Sequence, residues 1–242
     1  MIVEKISFLG CGSWGGALGS ILAEKNLDVT MWHRNNDIVR SLDKSRRHYL
    51  IPNLVFPENV AFTDDTSMAI SSSSIVVLAL PSQSIRKLLT DNREYFGQDK
   101  LIVNLSKGIE IDTLMTVSEV IQDVLSNSYQ GIVTLSGPSH AEEVIQKHPT
   151  TLVAASSDFD SAQKVQNLFA TDMLRTYRNN DIKGVELGGS MKNVIAIAAG
   201  ICDGIGYGDN SKAALITRGM TEISRLGTTM GGQRETFNGL SG

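Results

Sequence analysis

Residues 5–24 read KISFLGCGSWGGALGSILAE, in which a short apolar stretch runs into a glycine-rich turn and then into a helical pattern. The turn carries the spacing G-x-G-x-x-G at Gly10, Gly12 and Gly15. At this spacing the first glycine allows a tight turn, the second lets the backbone approach a pyrophosphate, and the third lets the helix pack closely on the strand. The N-terminus of the helix adds N–H groups and partial positive charge, which favour phosphate. The stretch therefore predicts a dinucleotide-binding unit.

The composition is that of a soluble globular protein with a sizeable core, since 41% of the 242 residues are hydrophobic and 20% are charged. The net charge of -4 disfavours a nucleic-acid partner. The two cysteines and four histidines show neither a disulfide framework nor metal-ligand spacing, so we expect no metal and a reducing, cytoplasmic location. No signal peptide and no uninterrupted apolar run of about twenty residues is visible, so we expect no membrane insertion.

Strand-like apolar segments alternate with helical segments up to about residue 181. This alternation predicts right-handed parallel crossovers and an α/β fold with a doubly wound, Rossmann-type sheet. After the first strand, the predicted strands are residues 28–32, 59–63, 75–80, 101–105, 132–135, 151–155 and 173–177. A helix is predicted to start at Ser139, because Glu142 three residues on completes a capping box.

The pattern changes after Asp181, because no further strand is predicted. Residues 184–206 predict a long helix that is apolar all round and hence buried, and residues 210–227 predict another helix. We therefore predict a dinucleotide-binding domain over residues 1–181 and the start of an all-α substrate domain over residues 182–242.

Arg34 decides the predicted cofactor, since it follows the strand at residues 28–32, where the adenosine ribose would lie. An NAD site usually has Asp or Glu here to accept from the 2′-hydroxyl, whereas Arg34 can pair with a 2′-phosphate and stack on adenine. We therefore favour NADP(H). NAD(H) stays an alternative, as does a role for Arg34 as a solvated loop arginine.

Two lysines are candidates for the chemistry. Lys107 directly follows a predicted strand, at the sheet edge where nicotinamide and substrate would meet, so it is expected to contact both and to bind a substrate phosphate or polarise a carbonyl oxygen. Lys192 has small and apolar helical neighbours, a setting that suits a proton donor and also a lysine that extends to solvent. Backbone and hydroxyl donors near the same point would come from Gly137, Ser139 and Ala141.

Four motifs occur in a specific order, namely GCGSWG at residues 10–15, SKG at 106–108, SGPS at 136–139 and LGGSMKNV at 187–194. With them the chain resembles the bacterial type of the NAD(P)-dependent glycerol-3-phosphate dehydrogenase family over essentially all of its length. The resemblance implies reversible hydride transfer between NAD(P)H and dihydroxyacetone phosphate, a small phosphorylated substrate, to give sn-glycerol 3-phosphate for phospholipid synthesis. A homodimer is an assembly that the sequence allows.

The resemblance also implies residue roles. Lys192 would donate and accept the proton at the substrate oxygen, so that no alkoxide accumulates. The cofactor would be contacted by Ser13, Trp14, Arg34 and Ala141, and the substrate by Lys107, Gly137 and Ser139. The family continues beyond the motifs present here with a Ser-Arg-Asn group that helps to hold substrate phosphate and cofactor. We therefore expect this chain to be a fragment that holds the cofactor domain and part of the substrate domain, so that the resemblance does not imply activity for the fragment by itself.

Two other functions stay open from the sequence. One is a related reductase of another small carbonyl substrate, which would not require a phosphorylated substrate. The other is a non-catalytic NADP(H)-binding module, in which Lys192→Ala would have no effect on any activity.

Overall fold

A single sheet lies at the centre of the protein in this computed structural model, which describes residues 4–126, 128–138 and 140–240. The strands are β1 (Lys5–Leu9), β2 (Asp28–Trp32), β3 (Val60–Thr63), β4 (Ile75–Leu78), β5 (Leu101–Asn104), β6 (Gly131–Ser136), β7 (Thr150–Ala155) and β8 (Leu174–Asn179). The α-helices of the described residues are α1 (Ser13–Glu24), α2 (Asn36–Ser45), α3 (Thr66–Ser71), α4 (Ile85–Asp91), α5 (Val117–Leu125), α6 (Ala141–Ile145), α7 (Phe159–Phe169), α8 (Ile182–Gly204) and α9 (Asp209–Thr229).

The strand order is β3-β2-β1-β4-β5-β6-β7-β8. From β1 the chain moves outward to β3 and then crosses back to β4, which is the doubly wound arrangement, and the predicted fold class is confirmed. The direction of β7 differs from the predicted parallel crossovers, since β7 is antiparallel to β6 and parallel to β8. The connection between β6 and β7, residues 137–149, is long enough for a parallel crossover, but its helix α6 has only five residues. Such a helix extends about 7.5 Å, less than half of the roughly 20 Å that the six residues of β6 span, so the chain re-enters the sheet from the edge at which β6 ends.

Apolar side chains pack on both faces of the sheet. Val77 of β4 lies in a buried cluster with Phe8 of β1 and side chains of α1, whereas the preceding residue, Val76, lies in a second cluster with Ile121 of α5. This alternation follows from the pleat of a strand, which turns successive side chains to opposite faces. Two cores of this kind are what a sheet covered by helices on both sides requires.

Helix α8 is buried only at its start. Its buried residues lie between Gly184 and Gly189, where it packs against β6 and β7, whereas Val194 is 68% and Ile197 66% exposed. The prediction that this helix is buried all round is therefore wrong. Apolar composition favours burial, but burial also requires a neighbouring element, and in the part of the chain that the structure describes α9 covers only one side of this segment.

Helix α8 also has the length and apolar composition of a membrane-spanning helix, which the search for an uninterrupted apolar run did not predict. The helix contains Glu186 and Lys192 within this apolar sequence. The core helix of a soluble protein can have the same composition, so this feature is weak support for membrane insertion.

Candidate active site

The glycine turn lies where the strand order reverses, between the carboxyl ends of β1 and β4, which is where open α/β sheets bind ligands. Gly10 has a φ of 120°, and a Cβ there would overlap the carbonyl oxygen of Ala79. A Cβ on Gly15 would overlap the carbonyl oxygen of Gly10, so α1 packs directly on the turn. At Gly12 a Cβ would meet no described atom within 4 Å. The turn is thus closed toward the sheet and open at the N-terminus of α1, a cradle that fits the pyrophosphate of a dinucleotide.

Two hollows adjoin this turn. One of about 560 Å³ runs from Gly12 to Arg34, which is exposed at its outer end. The other, of about 380 Å³, is lined by Ser13, Trp14 and Lys107. The residues that the sequence analysis assigned to the two ends of a dinucleotide therefore lie along one surface, with the glycine turn between them.

Lys107 is half-buried in the loop that follows β5. Its Nζ donates to the carbonyl oxygen of Gly137 at 3.2 Å, and Lys192 on α8 lies near enough to interact with it electrostatically. Burial, and then the adjacent Lys192, lower the pKa of Lys107 to about 8. Two lysines that meet in a partly desolvated place favour the binding of an anion there, because an anion offsets the repulsion between their charges.

Lys192 is half-buried, and its surroundings change along the helix. Gly188 and Gly189, which precede it, are buried, whereas Ala196, which follows it, is exposed. The small apolar neighbours that the sequence predicted are thus present, but they surround Lys192 only on the side that faces the sheet.

The loop after β6 supplies the other predicted residues. Gly137 has a φ of 149° and lies close to β7, since a Cβ there would come 2.8 Å from the carbonyl oxygen of Thr151. Ala141 is buried at the start of α6, whose N-cap position is taken by His140. Ser139 and its predicted capping box lie outside the described residues.

His33 and Tyr49, which no sequence motif indicated, line the same hollow as Arg34. The hydroxyl of Tyr49 lies 3.4 Å from Nε2 of His33, and the two rings meet edge to face. Burial lowers the pKa of His33, so its imidazole is neutral at pH 7. His33 directly follows β2, and this position could have predicted that it lies in the hollow. Tyr49 lies in an irregular segment, and no periodic pattern predicts its position.

A cradle for a dinucleotide that leads to a pair of lysines is typical of oxidoreductases that use nicotinamide cofactors. Two family models narrow this class: NAD-dependent glycerol-3-phosphate dehydrogenase N-terminus matches residues 5–162, and the C-terminus of the same family matches residues 181–242. The chain belongs to the NAD-dependent glycerol-3-phosphate dehydrogenase family, whose members are oxidoreductases.

Similar proteins carry the same family name. A glycerol-3-phosphate dehydrogenase (NAD(P)+) of Bacillus pumilus is 46% identical over 242 residues, which cover 99% of this chain and 70% of that protein. One of Chlorobium phaeobacteroides is 50% identical over 98% of this chain and 72% of its own length. The crystal structure of glycerol-3-phosphate dehydrogenase from Coxiella burnetii superposes with a TM-score of 0.94 at 34% identity, covering 99% of this chain and 73% of that one.

Proposed function

We propose that this protein transfers hydride between NAD(P)H and dihydroxyacetone phosphate, giving sn-glycerol 3-phosphate for glycerophospholipid synthesis. The observation that carries the proposal is that Lys107 lies beside the glycine turn, with Lys192 near enough to interact with it electrostatically. Two adjacent cationic side chains suit a phosphorylated substrate, and a lysine suits proton transfer to its carbonyl oxygen. Membership of the family supports the same reaction.

The residues around the glycine turn fit a dinucleotide, because the turn is open only where α1 presents its N-terminus. When bound, the nicotinamide cofactor supplies or takes up the hydride. Ser13 and Trp14 of α1 would hold it near the turn, Ala141 would contact it from α6, and Arg34 would bind its adenosine end. We propose NADP(H) as the preferred cofactor because Arg34 is exposed in the hollow and makes no ion pair with a described residue.

The substrate would bind between the loop after β5 and α8. Lys107, fixed through its bond to Gly137, would bind the substrate phosphate or polarise the carbonyl oxygen, with Gly137 and Ser139 as further contacts. Lys192 would donate a proton to that oxygen as negative charge develops on it, and would take the proton back in the oxidative direction. Under this proposal residues 1–181 form the cofactor domain, residues 182–242 begin the substrate domain, and the protein works in the cytoplasm.

The test is consumption of NADPH with dihydroxyacetone phosphate by the complete product of the gene that encodes this chain. We expect turnover that depends on this substrate. The turnover is measured as the loss of absorbance of the reduced nicotinamide. Binding of NADPH without turnover of any small carbonyl compound would instead identify a cofactor-binding module. Turnover that prefers an unphosphorylated carbonyl compound would identify a reductase of another substrate.

Replacing Arg34 with alanine tests the cofactor preference. We expect the Kd for NADPH to rise about 10- to 100-fold with little change for NADH, since a hydrogen-bonded contact to a charged group contributes roughly 1.5–3 kcal/mol. Both constants can be measured by quenching of tryptophan fluorescence. Arg40→Ala is the matched control, because Arg40 is an exposed arginine on α2. Equal weakening of NADPH and NADH by the Arg34 substitution would contradict a role in 2′-phosphate recognition.

A further inference from the structure

Glu186 is a buried carboxylate that the proposed reaction does not use. It is 5% exposed, and its Oε1 accepts hydrogen bonds from Asn104 Nδ2 at 2.9 Å and from Thr134 Oγ1 at 2.8 Å. Ser118 donates to the same carboxylate through its backbone N–H at 3.0 Å and its hydroxyl at 2.6 Å. The partners come from β5, β6 and α5, so one side chain joins α8 to three other elements.

Stability alone is a poor explanation for this carboxylate. Moving a carboxylate out of water costs several kcal/mol, and replacing buried charged groups by apolar side chains of similar volume is often neutral or stabilising. Burial raises the pKa of Glu186, and the hydrogen bonds from Ser118, Thr116 and Thr134 oppose that rise. A leucine at this position would pack α8 on the sheet without these costs, but it could not orient polar partners.

One of those partners controls the loop that carries Lys107. The amide of Asn104 donates from Nδ2 to the carbonyl oxygen of Ser106 at 3.2 Å, and its Oδ1 accepts from the Ser106 N–H at 2.8 Å. Because the same Nδ2 also donates to Glu186, the carboxylate fixes which way this amide points. Glu186 thereby fixes the start of the segment Ser106-Lys107-Gly108, which we call the lysine loop.

The end of the lysine loop is held by the next turn of the same helix. The backbone N–H of Gly108 donates to Ser190 Oγ at 3.0 Å, and Ser190 Oγ donates to the carbonyl oxygen of Glu186 at 2.7 Å. Helix α8 thus contacts the lysine loop on both sides of Lys107. Lys192 is six residues beyond Glu186, about 9 Å along the helix axis.

We propose that Glu186 is a positioning residue for catalysis, which holds α8 to the lysine loop through Asn104 so that Lys192 meets Lys107. The proposal rests on the proposed function for its effect on turnover. The structural part of the proposal is that Glu186 keeps Lys107 next to Lys192. This part does not depend on the substrate and can be measured separately.

The two substitutions that test it are Glu186→Gln and Glu186→Ala. Glutamine can place its amide oxygen at the Oε1 position, where it still accepts from Asn104, and its NH2 group can donate to Ser118 Oγ after that hydroxyl rotates. It therefore keeps the contacts and removes the charge. Alanine removes both. Lys183→Met is the control, because Lys183 also joins α8 to α5, through Glu119 at 2.7 Å, but does not contact the lysine loop.

The first readout is the pKa of Lys107, from NMR titration of ¹³C-methylated protein in which Lys107→Arg assigns the resonance. We expect a pKa near 8 in the unsubstituted protein, in Glu186→Gln and in Lys183→Met. In Glu186→Ala we expect a rise of at least one pH unit toward the ordinary value of about 10.4, because Lys107 becomes more exposed to solvent and moves away from Lys192. A Lys107 pKa that stays near 8 in Glu186→Ala overturns the proposal. So does a pKa in Glu186→Gln that shifts as far as in the alanine variant.

The second readout is the split between kcat and cofactor binding. We expect Glu186→Ala to lower kcat about 10- to 100-fold with the Kd for NADPH within about threefold, and Glu186→Gln to keep kcat within about threefold. An equal loss of kcat in both variants would assign the effect to charge and overturn positioning. If the unsubstituted protein ignores dihydroxyacetone phosphate while the Lys107 titration behaves as expected, the proposed function fails and the positioning role stands.

A third variant keeps the test decisive if Glu186→Ala does not fold. Asn104→Ala removes the amide that joins the carboxylate of Glu186 to Ser106. In the folded Asn104→Ala protein, judged by its circular dichroism, we expect the Lys107 pKa to rise by about half a pH unit or more, and an unchanged value overturns the proposal.

Discussion

Replacing Lys192 with alanine in the complete gene product is expected to lower kcat for dihydroxyacetone phosphate reduction by roughly 10²- to 10⁴-fold, which is the range that positioned general acids contribute. The physical reason is that negative charge would then develop on the substrate oxygen with no side chain to donate a proton. The Kd for NADPH should stay within about twofold, since Lys192 lies beyond the glycine turn. Steady-state rates and fluorescence binding would measure the two effects.

Lys183→Met is a suitable comparison for this variant, because it removes a lysine from the first turn of the same helix. It should leave kcat within about twofold. A Lys192→Ala protein that keeps more than a tenth of the original kcat would exclude Lys192 as the proton donor.

Lys107 should give the second large effect, on substrate affinity. We expect Lys107→Met to raise the KM for dihydroxyacetone phosphate about 30-fold or more, since loss of one partner of a buried, hydrogen-bonded charge pair costs roughly 2–5 kcal/mol. The pH dependence should follow from its pKa of about 8. Below that pH the side chain is an ammonium that binds phosphate, and above it the charge is lost. Thus kcat/KM should fall as the pH rises through 8 in the unsubstituted protein.

Lys107→Arg provides the control for this pH effect, because a guanidinium keeps its charge well above pH 8. The fall in kcat/KM near pH 8 should therefore disappear in this variant, even if its absolute rate is lower. A fall at the same pH in Lys107→Arg would assign the titration to another group.

The sequence predicted those parts of the fold that local patterns determine. The bounds of β2 were predicted to the residue, since it is a short segment between clear turn signals. The glycine turn was predicted together with its place at the sheet edge, because its spacing has a single well-understood geometry. The direction of β7 was not predicted, because it depends on how short the helix α6 in the preceding connection is.

The candidate site was predictable only in part, because local patterns do not reveal contacts between distant segments of the chain. Arg34 and Lys107 lie two and three residues beyond the ends of β2 and β5, so topology alone places them at the ligand-binding edge. The contacts of Glu186 join residues that lie between 52 and 82 positions apart, and no pattern along one segment reveals such a set. The glutamate among the small and apolar residues at the start of α8 was a signal that could have been used.

The antiparallel β7 determines how the chain reaches the catalytic edge. Because β7 and β8 run opposite to β1–β6, α8 starts at the level of the strands, touches Asn104 and Thr134 through Glu186, and then extends past their ends. Each helical residue adds about 1.5 Å and turns the chain by about 100°. The turn between β7 and α7 could therefore change in length at little cost, whereas one residue gained or lost between positions 186 and 192 would rotate the side chain of Lys192 out of the site.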